Sequence, residues 1–263
     1  AASTQGPTLK YLEAEMAQGQ VKEINPYFIV NMIHAHANAG VIRELSLRPE
    51  VEAILPSNWI ELEQPLFLDS TDGPGKQWNL EQIEAYAVWD AYGLDGTGVV
   101  VGIIDTGTHF EHEALKEKWR GYDPEGNHNP VFNWFDAVNG RAMPYDIDDV
   151  NYCHGTHVMG TILGSHPESN NLIGVAPGAR WITAKAFIEE GGYDHWLLAA
   201  GEYMLAPTDE EGNPNPAMAP DVINNSWGGG SGLDEWYRPM VQAWRAAGIV
   251  PVFSAGNTSG GSS

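Results

Sequence analysis

The chain contains a single cysteine, Cys153, so no internal disulfide can form and the fold must be held by packing. That count neither requires nor excludes export. Basic residues are also scarce: 13 Lys and Arg stand against 35 Asp and Glu, a formal net charge of -22. Such a surface repels phosphate backbones and anionic headgroups, so neither nucleic acid nor a membrane surface is expected as a partner. No apolar run reaches the roughly 18 residues of a membrane span. The N-terminal Ala1-Ala2-Ser3-Thr4 lacks a basic-then-apolar leader, as a mature end left after signal removal would.

Apolar side chains are not lacking. They make up 43% of 263 residues, enough for a substantial core in one large domain, or in a large and a small one. Only 4 of the basic and 8 of the acidic residues precede Asp69, so the acidity lies mainly in the longer second part. The first part reads as a helix over Thr8 to Gln18, a strand over Tyr27 to Ile33, a helix over Val41 to Leu47, and extended segments at Val51 to Leu55 and Trp59 to Leu62. This is an α+β unit of residues 1–68, small for independent stability and suited to docking on a larger surface.

The run from Glu63 to Lys76 is rich in Pro, Gly, Asp and Ser, which predicts an exposed linker, placed at residues 69–77. From residue 78 to 263 the pattern becomes strands alternating with helices. Strands are expected at Val99 to Ile104, Trp181 to Ala186, Val222 to Asn225 and Ile249 to Phe253. Helices are expected at Leu80 to Tyr92, His154 to Leu163, His195 to Leu205 and Glu235 to Ala247. Such alternation implies an α/β fold, a parallel sheet with helices on both faces.

Four short elements carry candidate chemistry. Val99 to Gly107 is a buried strand that delivers Asp105 into a glycine turn, at the end of a parallel sheet where α/β sites form. His154-Gly-Thr-His157 sets a histidine at a helix start beside small residues. A helical zinc pair needs histidines four apart with an intervening Glu, and this spacing is three, so a metal role is not expected. Val222 to Gly230, with Ser226, Trp227 and Gly228, and Val252 to Asn257, with Ser254, Ala255 and Gly256, are strands running into glycine turns that can offer amide donors to an extended peptide. Taken alone, each has an ordinary reading as a turn cap, a core histidine or a strand end.

Their order decides. Asp-Thr-Gly, then His-Gly-Thr-His, then Asn-Asn-Ser-Trp-Gly-Gly, then Ser-Ala-Gly-Asn resembles the subtilisin-like serine peptidase family, whose triad runs Asp, His, Ser along the chain. The likeness extends over nearly everything from Trp78 onward. The stretches Asp136 to Gly140, Leu205 to Pro207 and Ser226 to Arg238 are similar to the loops of one particular member.

The resemblance implies that Asp105 orients His154, that His154 is the general base and acid, and that Asn257 donates to the oxyanion. It implies that Ser226 to Gly228 and Ser254 to Gly256 line the main specificity pocket. Glu189 to Tyr193, with Gly191 and Gly192, would offer substrate an edge strand. The N-terminal unit is similar to the family's inhibitory propeptide, docked in the cleft and released by cleavage between Glu63 and Lys76. Polypeptide substrates, secretion and a chemistry without cofactors follow from the same likeness.

The sequence departs from the family pattern in three places. No Gly-Thr-Ser motif occurs, and Ser259, Ser262 and Ser263 lie in a glycine-rich tail with the character of a linker. The nucleophile is therefore expected from a C-terminal remainder of the same catalytic domain, and this chain by itself is expected to be inactive. A pseudopeptidase or a propeptide-bearing inhibitory fragment is the alternative. Structural calcium is common in the family and remains possible by that likeness, although the position of its usual carboxylate is Ala114. Asp146, Asp148 and Asp149 could bind a hard cation, with a solvated acidic loop as their ordinary reading. Cys153 reads as a buried, inert thiol.

Overall fold

A computed structural model describes residues 2–62, 77–147, 153–166, 171–228 and 235–257. The linker at 69–77 lies outside them except for Gln77, as do Asp148, Asp149, Gly229, Gly230 and the three C-terminal serines.

The N-terminal unit comprises α1 (Ala2–Ala17), the antiparallel hairpin β1 (Val21–Tyr27) and β2 (Met32–Ala37), α2 (Ala39–Leu45) and the short β3 (Trp59–Glu61). Its own core is small, centred on Leu12, Val21 and Val41. Asn38 caps α2, its side chain accepting from Val41 N at 3.0 Å. The expected strand over Tyr27 to Ile33 is instead the hairpin corner, with Asn31 at a φ of 50°. Apolar content there reflects docking, because Ile29 and Val30 pack against the larger core described below.

The remainder begins with α3 (Trp78–Gln82) and α4 (Ala85–Tyr92). One helix was expected over this stretch, but Glu84 at a φ of 58° breaks it in two. Then come β4 (Val100–Asp105), β5 (Trp134–Asp136), α5 (His154–Leu163), β6 (Ser165–His166), β7 (Asn171–Leu172), β8 (Arg180–Lys185), β9 (Gly191–Tyr193), α6 (Asp194–Leu205), β10 (Val222–Asn225), α7 (Arg238–Ala246) and β11 (Val250–Phe253). Five strands form one sheet in the order β11-β10-β4-β8-β5, every neighbouring pair parallel.

Period-two alternation sorts the two cores. Val101 and Ile103 of β4 and Trp181 of β8 pack with Met159 and Leu163 of α5 on one face. Ile104 and Ile182 pack with Leu197 and Met204 of α6 and with Met240 and Trp244 of α7 on the other. Helices therefore cover both faces, as the α/β pattern implies. Each fully buried Ile or Leu is worth roughly 1.5–3 kcal/mol, which makes these layers a rigid platform for the ends of β4 and α5. Tyr27 and Leu62 of the N-terminal unit are buried in the second core, so that unit shares its packing with the sheet body.

Candidate active site

Asp105 closes β4, the central strand, and is fully buried; His154 opens α5 and is 8% exposed. The His154 Nδ1 to Asp105 Oδ1 distance is 2.7 Å. Thr106 N donates to the same oxygen at 2.7 Å, while Oδ2 has no hydrogen-bond partner among the described residues. A desolvated, under-partnered carboxylate gains much from an adjacent imidazolium. Burial pulls the His154 pKa down, but the Asp105 charge and hydrogen bond, with the Asp146 charge behind them, outweigh it and hold the imidazole above its ordinary value.

The approach of α5 to β4 depends on Gly155. A Cβ there would stand 2.0 Å from Gly107 O. Any side chain would push the helix start, and His154 with it, away from Asp105. His157 is exposed, and His154 turns its Nδ1 to Asp105. The Cys153 thiol is half-buried, less enclosed than expected, and its Sγ donates to Ile147 O at 3.2 Å.

The remaining candidates fall into two groups. Parallel pairing of β10 with β11 places Ser226 to Gly228 beside Ser254 to Asn257: Ser254 N donates to Asn225 O at 3.0 Å. Trp227 is buried against Phe187, Tyr237 and Phe253, whereas Ser254, Ala255, Gly256 and Asn257 are exposed. The other group is β9, where Gly191 and Gly192 pair antiparallel with Glu61 and Ile60 of β3. The edge expected for substrate thus already carries the chain's own segment, extended by Leu62 N donating to Glu190 O at 3.3 Å.

Sequence reasoning missed Asp146. Expected in a solvated loop, it is instead fully buried, because its two oxygens accept from Thr106 Oγ1, Ile147 N, and both N and Oγ1 of Thr156. Those oxygens are committed to protein donors. No group of three or more His, Cys, Asp or Glu among the described residues is placed to hold a metal ion. Lys185, also missed, is buried at the end of β8 and donates to the carbonyls of Thr106 and Phe187. Burial draws its pKa down against the pull of Asp146, Asp136 and Asp105. A lone lysine ending an apolar strand is the signal that marks it.

Comparison with known proteins gives consistent results. A subtilase family model matches residues 96–263. Bacillopeptidase F of Bacillus subtilis is 52% identical over 267 residues, covering 97% of this chain and 18% of that protein; its loops are those the sequence resembles. A probable subtilase-type serine protease of Deinococcus radiodurans is 35% identical over 67% of this chain and 23% of its own length. An extracellular basic protease of Dichelobacter nodosus is 30% identical over 66% of this chain and 31% of its own. The chain therefore spans less than a third of each of these relatives. An epidermin leader peptide processing serine protease of Staphylococcus aureus aligns with a TM-score of 0.59 at 18% identity, over 93% of this chain and 57% of that one, which bears on the fold alone. By its ordered motifs, its parallel sheet and the family match, the chain belongs to the subtilase family.

Proposed function

We propose that this chain is the N-terminal part of a secreted subtilisin-like serine endopeptidase precursor. Residues 1–68 act as inhibitory propeptide, 69–77 as processing linker and 78–263 as the first part of the catalytic domain. The observation that carries the reading is the buried 2.7 Å contact between Asp105 and His154 at the end of the central strand. Asp105 fixes the imidazole with its proton on Nδ1, leaving Nε2 to take the proton of a serine hydroxyl supplied C-terminal to Ser263. The serine oxygen attacks the peptide carbonyl, and the Asn257 amide donates to the oxyanion. His154 then returns the proton to the leaving amine, and water repeats the sequence on the acyl-enzyme.

Polypeptide substrates pair with β9, and the β3–β9 ladder supports the same geometry for the inhibitory segment. The name of the Dichelobacter relative supports secretion. The β3 ladder would equally serve a non-catalytic inhibitory protein, and one experiment separates the two. Protein expressed from the complete open reading frame is treated with a fluorophosphonate probe and assayed on a casein substrate. The expected result is labelling of one serine C-terminal to Ser263, lost in His154→Ala, with Asn257→Ala reducing kcat by about 10²–10³-fold. The pure 263-residue chain is expected to show no turnover. Absence of labelling and turnover in the complete protein would overturn the peptidase in favour of the inhibitory reading.

A further inference from the structure

We propose that Asp146 is a positioning residue that locks the Asp105–His154 pair by joining the end of β4 to the first turn of α5; the inference rests on the peptidase reading only for its kinetic consequences. The first backbone N–H groups of a helix have no partner inside it, and Cys153, at the N-cap position of α5, supplies no side-chain acceptor. The acceptors come from elsewhere in the chain. Thr156 N donates to Asp146 Oδ2 at 2.8 Å, and Gly155 N donates to Thr106 Oγ1 at 2.9 Å. Thr106 in turn donates to Asp146 Oδ1 at 2.6 Å, and Thr156 Oγ1 donates to Oδ2 at 2.5 Å.

One buried carboxylate thus holds Thr106, which follows Asp105, and Thr156 directly, and reaches Gly155 through the Thr106 hydroxyl. Thr106 is the link: its hydroxyl belongs to the clamp, and its N–H donates to Asp105 Oδ1. Thr156 is anchored a second time, its Oγ1 accepting from His109 N at 3.0 Å. With all four Asp146 contacts made inside the protein, the group has no spare acceptor for a ligand. Its geometry serves the register between β4 and α5, and with it the angle at which His154 meets Asp105.

The electrostatic consequence has a definite sign. A negative charge behind the helix start favours the imidazolium of His154, so its removal lowers the pH at which His154 becomes a base. The other charged or titratable groups around this locus are Asp105 of β4, Lys185 of β8 with Asp136 and Arg141 acting on it, and His109, which contacts Thr156 and Ile147. None of them changes identity in the variants below.

Asp146→Asn and Thr106→Val are made in the complete protein, with Thr106→Ser as rescue. Asn keeps one acceptor oxygen but turns an amide donor toward donors. Its expected effect is about a 10²-fold loss of kcat, the scale of a misplaced catalytic group, with KM held because β9 is untouched. The acid limb of kcat/KM moves to lower pH. Thr106→Val is expected to lose about tenfold, by the same logic with one link cut, and Thr106→Ser recovers most of that loss. Wild-type kcat and an unmoved limb in Asp146→Asn would overturn the inference. Where that variant fails to fold, a wild-type kcat in Thr106→Val does so. Should the wild type prove inactive, the peptidase reading fails by itself, and the positioning role is read from the His154 imidazole titration by NMR. An unchanged midpoint in Asp146→Asn would then overturn it, and a lowered one would support it.

Discussion

Two junctions in this molecule rely on polar contacts, and they differ in how those contacts meet water. Where β4 meets α5, Asp105, Thr106, His154, Thr156 and Asp146 are all less than a tenth exposed. Where the N-terminal unit meets β9 and α6, Ser57 Oγ and Asn58 N reach Asp194 at 2.7 and 2.9 Å through exposed contacts, and Ile29 N reaches Glu202 at 2.9 Å through a half-buried one. Apolar insertion there comes from Tyr27 and Leu62, with Ile29, Val30 and Ile60 partly buried beside them. Charges out of water interact strongly and hold one geometry, whereas hydrated ones exchange partners at little cost. On the proposed reading, the first junction stays assembled and the second separates, as release of an inhibitory segment would require.

The largest test of this contrast is Asp105→Asn. Because the site is desolvated, the exchange should lower kcat of the complete protein by about 10⁴-fold through the wrong imidazole tautomer. It should also move the acid limb of kcat/KM downward, since the charge that holds the His154 pKa above its ordinary value is gone. The folding term runs the same way. A raised histidine pKa stabilises the fold below histidine's ordinary value and ceases to do so as pH rises through the folded-state value. The melting temperature of Asp105→Asn should therefore differ most from the wild type under mildly acidic conditions. A drop of less than tenfold in kcat, or a limb that stays put, would remove the distinction between the two junctions.

The unevenness of that burial explains what was legible in the sequence. Strand-end Asp105 and helix-start His154 were readable because each sits inside a local pattern, an apolar run into glycine and small residues ahead of a helix. The sheet strands followed from the same local signals, although the short β5 did not, since three residues give too little periodicity to see. Asp146 was unreadable for a different reason. Its partners lie 40 residues upstream at Thr106 and 10 downstream at Thr156, and an Asp in a polar stretch looks solvated until the fold closes over it. The hairpin corner at Tyr27 to Ile33 misled for the converse reason: its apolar residues answer to the surface of another unit, not to a strand of their own.

A smaller test acts on the separable junction alone. Gly191 admits β3 because a Cβ there would lie 2.3 Å from Ile60 O. Gly191→Ala should cost the β3–β9 ladder about 1–3 kcal/mol, the scale of an overpacked contact. In the intact chain this should appear as faster amide exchange at Leu62, with protection in β4 and α5 retained. If exchange rises equally across β4 and α5, the two junctions are one cooperative unit and the contrast fails.

The smallest expected effect is a pH dependence confined to the docking surface. His34 of β2 stacks face to face on His195 of α6, with centroids 3.8 Å apart. Burial, followed by the neighbouring His195, lowers the His34 pKa, and Glu23 of β1 and Asp194 of α6 only partly oppose this, while His36 adds to it. A depressed histidine pKa means that docking favours the neutral ring. Its contribution is therefore complete above histidine's ordinary value of 6.5 and lost as pH falls through the depressed one. Asp194 acts lower on the scale. Burial raises its pKa, but hydrogen bonds from His195, Asn58 and Ser57 outweigh that, so its contribution persists above 3.8 and fades only below. Between pH 7.5 and 5.5 the intact chain should thus lose protection at residues 59–62 beyond the intrinsic pH effect on exchange. His34→Phe, which keeps a flat ring on His195 without a titrating group, should lose less. Equal losses in the two proteins would show that the stacked pair does not govern how this junction responds to acid.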